Sequence, residues 1–285
     1  MSIAYVNGAF VPLEEARISP LDRGFLFGDG IYEVIPYYNR KPVGFALHMQ
    51  RMINGLKALE IKCEKSIDEW RQLLDSLIDQ NEGSNFGVYL HVSRGADTKR
   101  FHAYPENVEP TIFAFTFGIK DPEPVDRSAV HAYKVSSTED LRWKRCNIKS
   151  TSLLGNVMHF QQGHASGNNE ILLYNQKNEL TEGSSCNVFI VKDGTVITPV
   201  EDNQILPGIT RRIIIDSIKA DGSIPVEERT ITMDEVRNAD EIWITSSSKE
   251  IAPVTRLDDQ PVGNGEVGPV WEKAFRIYTD RKFDY

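Results

Sequence analysis

The stretch Ile119-Lys120-Asp121-Pro122-Glu123-Pro124-Val125 sets two prolines one residue apart among charged neighbours. Proline supplies no amide donor and fixes φ, so neither a helix nor a central strand runs through such a segment. It reads as a linker, residues 119–126, between an N-terminal part (1–118) and a C-terminal part (127–285). A chain of 285 residues is long enough for two domains, each with its own core.

Both parts mix strand and helix patterns. Ile3 to Val6, an Asn7-Gly8 turn and Ala9 to Val11 spell a hairpin. Ile31 to Tyr38 is rich in strand formers. Leu47, Met52, Ile53, Leu56 and Leu59 recur at helical spacing over 46–59, and Ile67, Trp70, Leu73, Leu74, Leu77 and Ile78 do so again over 68–79. Phe86 to Arg94 alternates apolar with polar residues, the period of a half-buried strand. Thr111 to Phe117 predicts a further strand. Beyond the linker, strands are expected at 130–135, 170–174, 187–191, 195–198 and 241–245, and helices near 152–165, 210–219 and 267–278. Lys192-Asp193-Gly194-Thr195 is a hairpin turn. The fold class expected is α+β in two domains, the N-terminal one smaller.

Composition removes several classes of partner. A net charge of −9 without a basic block argues against nucleic acid and anionic membranes. No apolar run approaches the roughly 20 residues that span a bilayer, and the first residues show no secretory pattern. Three cysteines, an odd number far apart in sequence, predict neither a disulfide framework nor a metal site. His48, His91, His131, His159 and His164 lack ligand spacing and read as structural. A cytoplasmic protein is expected.

Three short segments carry chemistry. Arg145-Cys146-Asn147-Ile148-Lys149-Ser150 offers an amine. Thr181-Glu182-Gly183-Ser184-Ser185-Cys186-Asn187 offers a carboxylate, placed by its glycine in a turn. Leu206-Pro207-Gly208-Ile209-Thr210-Arg211 reads as a glycine turn opening a helix, whose free amides suit phosphate. Upstream stand Asp22-Arg23-Gly24-Phe25-Leu26-Phe27-Gly28-Asp29-Gly30-Ile31-Tyr32-Glu33 and His48-Met49-Gln50-Arg51-Met52; downstream stands Thr245-Ser246-Ser247.

In that order these segments resemble the fold-type IV pyridoxal 5'-phosphate enzymes, which include D-amino-acid and branched-chain aminotransferases. The resemblance runs over nearly the whole chain. It implies a two-domain fold with the cofactor at the domain interface. Lys149 would hold the cofactor aldehyde as a Schiff base and serve as proton shuttle, its amine made nucleophilic by burial and by Arg142, Lys144 and Arg145 nearby in sequence. Glu182 would keep the pyridine nitrogen protonated. Leu206 would back the ring. Arg51, Gly208, Ile209, Thr210, Ser246 and Ser247 would hold the phosphate.

Within that family, Arg94-Gly95-Ala96-Asp97-Thr98-Lys99-Arg100-Phe101-His102-Ala103-Tyr104-Pro105 is similar to the D-amino-acid aminotransferase loop with its Arg-x-His. Arg100, His102 and Tyr32 would then form a substrate carboxylate trap that also selects which face of the α-carbon meets Lys149. The loop is one residue longer than the family pattern and lacks a proline before the arginine, which would shift Arg100. The activity implied is transfer of an amino group from a D-amino acid to a 2-oxo acid, 2-oxoglutarate or pyruvate, by a ping-pong mechanism. The alternatives on this scaffold are an aminodeoxychorismate lyase and an (R)-amine or branched-chain transaminase. A homodimer is implied as well, with a loop lent by the partner subunit.

Overall fold

Asn7 and Gly8 both take positive φ, 45° and 99°, the conformation that lets a two-residue turn match the twist of its strands. They join β1 (Ile3–Val6) to β2 (Ala9–Pro12). The computed structural model describes residues 2–285 and divides the chain into two units.

The first unit takes residues up to 121 together with 148–153 and Tyr285. After the hairpin come α1 (Arg23–Phe27), β3 (Gly30–Tyr38), β4 (Lys41–Pro42), α2 (Phe45–Ala58), α3 (Ile67–Asp79), β5 (Phe86–Ser93) and β6 (Thr111–Gly118). Six strands form one sheet in the order β2-β1-β6-β5-β3-β4. α2 and α3 bring Met49, Met52, Leu56, Trp70, Leu74 and Leu77 against Ile31, Ile35, Val88, Leu90 and Val92 of the sheet. The expected helical spacings are those buried faces. Ser66-x-x-Glu69 closes the start of α3 as a capping box. α1 lies inside the glycine-rich segment; Asp22 caps it by accepting from the Gly24 amide, and Gly28 ends it at a positive φ of 66°.

Segment 148–153, which the sequence assigns to the C-terminal part, belongs by its contacts to this first unit. Its backbone explains the difference. Ser150 bridges Ile31, the Tyr32 amide donates to the Lys149 carbonyl at 3.1 Å, and the Thr151 amide donates to the Gly30 carbonyl at 2.9 Å. The segment thus completes the open edge at the start of β3.

The second unit, 122–147 and 154–284, contains β7 (Tyr133–Glu139), α4 (Leu154–Ala165), β8 (Glu170–Tyr174), β9 (Leu180–Gly183), β10 (Asn187–Lys192), β11 (Thr195–Thr198), α5 (Ile209–Asp221), β12 (Val226–Glu228), α6 (Met233–Arg237), β13 (Glu241–Ser246), β14 (Glu250–Leu257), β15 (Gln260–Pro261) and α7 (Pro269–Arg281). Its sheet runs β12-β11-β10-β13-β14-β7-β8-β9, with β15 paired to β14. The strand expected at 130–135 starts at Tyr133, because the amides of Ala129 and Val130 fold back onto the Asp126 carbonyl. β14 breaks the rule that proline avoids inner strands. Its pairing with β7 begins only at Val254, so Pro253 faces no partner on that side.

Candidate active-site residues

In the first unit, the start of β3 aims successive side chains to opposite faces. Glu33 points under α2 and is fully buried. Arg51 grips its carboxylate in a fork, Nε to Oε1 at 2.8 Å and Nη2 to Oε2 at 2.7 Å, and His48 Nδ1 lies 2.7 Å from Oε2. Burial alone would raise the Glu33 carboxyl, but Arg51 and His48 outweigh it and hold the group down at about 2. Burial keeps the His48 imidazole below its ordinary range, with Lys149 among the cations that disfavour its charge. Arg51 is therefore fixed in orientation by a permanent anion.

Tyr32 points to the opposite face. Lys149 Nζ lies 4.2 Å from the centroid of its ring, and the Tyr89 ring stacks at 5.7 Å. Lys149 is half-buried, its backbone clamped by the bonds described above. Arg100 and His102 lie together on an exposed loop. The Arg100 guanidinium is 5.2 Å and the His102 ring 5.3 Å from the Phe27 ring. Arg23 holds the loop from below by donating to the carbonyls of Phe101, His102 and Ala103. The structure brings Lys149 to Tyr32, and Arg100 to His102, as two separate pairs.

In the second unit, Glu182 lies on β9 and not in the turn that its glycine neighbour suggested. Pairing with β8 extends the chain through Gly183. The carboxylate is buried and accepts from Arg142 Nη1 at 2.6 Å, from the Leu206 amide at 3.0 Å and from Asn187 Nδ2 at 3.3 Å. Burial pushes its carboxyl up to about 7 in spite of Arg142. Competition for Arg142 adds to the burial. Asp140 takes two bonds from the same guanidinium and is held below its ordinary range by it, although burial opposes. One cation thus serves two carboxylates, and Glu182 is the less satisfied. Arg142, read from the sequence as one of the cations near Lys149, is engaged by Asp140 and Glu182; Lys144 and Arg145 are exposed.

The Leu206 backbone is bonded on both sides: its amide donates to Glu182 and its carbonyl accepts from Asn187 Nδ2 at 2.9 Å. A Cβ on Gly208 would fall 1.9 Å from Asn187 Oδ1, so any other residue would displace Asn187. Gly208 caps α5 without a side-chain bond, and Ile209 and Thr210 form its buried first turn. Asn187 pairs in register with Thr245, which places the ends of β10 and β13 side by side. The Thr245 hydroxyl is buried with no partner. Ser246 ends β13, and its Oγ accepts from the Lys249 amide at 3.3 Å; Ser247 follows in the turn. An unfilled donor beside a helix start that no side chain caps is what a phosphate group would satisfy.

The sequence reading gave no individual role to Glu33, Asp140 and Asn187. Glu33 and Asn187 act through partners on other elements, and Asp140 matters through the Arg142 it shares with the distant Glu182, so no local spacing marked them. Among the described residues no group of three His, Cys, Asp or Glu is arranged to hold a metal ion.

A family model for amino-transferase class IV matches residues 30–257. The chain is 39% identical to the D-alanine aminotransferase of Staphylococcus aureus (strain MW2), over 98% of this chain and 99% of that protein. In fold it is similar to the Escherichia coli branched-chain amino acid aminotransferase, with a TM-score of 0.89 at 24% identity, covering 98% of this chain and 93% of that one. A second branched-chain amino acid aminotransferase, that of T.th. complexed with N-(5'-phosphopyridoxyl)-L-glutamate, gives a TM-score of 0.87 at 24% identity, covering 99% and 94%. The chain belongs to the class IV aminotransferase family, with the two-part α+β fold of fold type IV. Enzymes of this family work with pyridoxal 5'-phosphate, and each unit by itself carries groups suited to part of it: an amine and a fixed arginine in the first, a buried acid and an unpaired donor beside a helix start in the second.

Proposed function

We propose that this protein is a D-amino-acid transaminase that passes the amino group of a D-amino acid to 2-oxoglutarate or pyruvate. The observation that carries this reading is the near full-length similarity to a D-alanine aminotransferase at 39% identity. The branched-chain enzymes share the fold at 24%.

Bound pyridoxal phosphate supplies an aldehyde that condenses with amines and a ring that draws electrons from the substrate α-carbon. The remaining work falls to side chains of this chain. Lys149 would hold the aldehyde and, once freed, move a proton between the substrate α-carbon and the cofactor carbon. Glu182 would accept a hydrogen bond from the ring nitrogen; burial and its competition with Asp140 for Arg142 leave it ready for a further cationic partner. Leu206 backs the ring. Arg51, with Gly208, Ile209, Thr210, Ser246 and Ser247, binds the phosphate. Tyr32, Arg100 and His102 bind the substrate carboxylate, and exposure of the Arg100 loop supports a loop lent to a partner subunit. The protein is a homodimer of the cytoplasm that takes small amino and oxo acids as partners. No helix among the described residues is long and apolar enough to cross a membrane.

The test is donor stereochemistry. D-alanine with 2-oxoglutarate should give pyruvate while L-alanine does not, and Lys149→Ala should abolish turnover. Arg100→Ala should raise KM for α-carboxylate donors with kcat little changed. Preference for L-donors would overturn the assignment, and pyruvate released with no amino acceptor would replace it by a lyase.

A further inference from the structure

Tyr32 rests on a buried polar arrangement in the first unit that the proposed chemistry does not use. Tyr32 on β3 and His91 on β5 are direct cross-strand partners, with Tyr89 two residues away on the same face. The Tyr89 hydroxyl lies 3.0 Å from His91 Nδ1. At its other end, the imidazole fits a recess that two glycines leave open. A Cβ built on Gly24 would stand 3.2 Å from His91 Nε2 and 3.0 Å from Asp22 Oδ1; one on Gly30 would stand 3.3 Å from Nε2. Asp22 itself is buried. Its Oδ1 accepts from the Gly24 amide at 2.8 Å, while Oδ2 has no partner.

The charge beside the ring favours one direction for the bond. Burial disfavours the charged imidazole, and the neutral ring carries one proton. The Asp22 carboxylate, whose Oδ1 lies beside the same Gly24 position as Nε2, favours that proton on Nε2. Nδ1 is then an acceptor, and the Tyr89 hydroxyl must donate to it. Tyr89 is thereby locked in rotation, and the Tyr32 ring, stacked 5.7 Å away at 25°, packs against a fixed plate. The opposite demand on Tyr32 comes from Lys149, whose Nζ lies 4.2 Å from the same ring. A tyrosine that both steadies an amine and meets a substrate carboxylate gains from an immobile support.

We propose that His91, seated near Asp22 and acting through Tyr89, is a positioning residue that fixes Tyr32 for substrate carboxylate binding. This rests on the assignment of Tyr32 to the carboxylate site. It makes Gly24 and Gly30 of the glycine-rich segment the walls of an imidazole recess. It also gives a purpose to a histidine that spacing alone marks as structural.

The experiment uses the holoenzyme with D-alanine as donor and propionate as a non-reactive carboxylate probe. Tyr89→Phe and His91→Leu should each raise KM for D-alanine and Kd for propionate by ~10-fold, with kcat within about two-fold, as expected when binding orientation and not chemistry is lost. The double variant should be no worse than either single one, because both cut the same link. His91→Gln keeps an acceptor and should restore both constants. Wild-type constants in Tyr89→Phe, additive losses in the double variant, or failure of the glutamine to rescue would each overturn the proposal. Tyr32→Phe separates the two levels. If it raises both constants while the Tyr89 and His91 variants do not, only the positioning role falls. If it changes neither, the carboxylate role of Tyr32 falls and the proposal with it.

Discussion

Glu182 and Glu33 are both carboxylates with essentially no access to water; burial raises both, and only for Glu33 do the neighbours outweigh it. Glu33 has a guanidinium fork and an imidazole to itself and stays ionised down to about 2. Glu182 shares Arg142 with Asp140 and is pushed up to about 7. In the cofactor-stripped protein the raised value couples folding to pH. A carboxyl that binds its proton more tightly when folded lowers stability as pH climbs from its unfolded value, near 4.5, to about 7, and no further above that. Stripped wild-type protein should therefore lose about 3 kcal/mol from this group across that window, a loss absent in Glu182→Gln. Urea unfolding at pH 5 and pH 8 measures it. Equal pH dependence in the two proteins would show that Arg142 already compensates Glu182 in full. Adding pyridoxal phosphate should reduce the wild-type slope, since a protonated ring nitrogen is the cation that Glu182 lacks.

α5 shows how one glycine joins two of these roles. Gly208 abuts Asn187 so closely that a methyl group would meet its Oδ1 at 1.9 Å. Asn187 in turn donates to Glu182 and to the Leu206 carbonyl. Gly208→Ala should push Asn187 aside, loosening the Glu182 carboxylate and tilting the first turn of α5 together. Cofactor affinity should fall by ~10-fold or more, about 1.4 kcal/mol, read by titrating pyridoxal phosphate into stripped protein and following absorbance. An unchanged affinity would mean that α5 does not hold the phosphate. The same element marks how far sequence reading reaches. Helices with one apolar face, α2 and α3, were legible because burial on one side imposes a 3.6-residue period. Lys149, Glu182 and Gly208 stood out through motif chemistry. β9, β12 and β14 did not, being short or carrying Pro253, and their strand state comes from neighbours far along the chain. α6 was legible in principle, since Thr232-x-x-Glu235 forms a capping box. Asn187 and Asp140 were illegible, because their roles exist only once β10, β13 and the 140–142 turn fold beside β9.

At the scale of the molecule, α4 is the element whose surface is hardest to reconcile with a lone chain in water. Leu154, Val157 and Met158 fall on one face at i, i+3 and i+4 and are 72%, 58% and 65% exposed, with Leu141 at 78%. The opposite face is spoken for. His159 accepts from the Leu141 amide, and Gly163 sits close against Ile171 of β8. Each of these side chains would gain about 1.5–3 kcal/mol on full burial, and a two-fold axis would bury every one twice. Charge does not supply an alternative partner, because a chain of net charge −9 with an apolar helix face has little to attract nucleic acid or anionic lipid. A second copy, the partner proposed above, would cover this surface. Light scattering should give twice the 32.2 kDa chain mass, and Met158→Glu, which would bury two unpaired carboxylates at such an axis, should shift the mass to that of one chain. A Met158→Glu protein that keeps the doubled mass would move the interface off α4. A wild-type mass of a single chain would remove the homodimer, and with it the route by which an exposed loop carrying Arg100 and His102 reaches the site of a partner subunit.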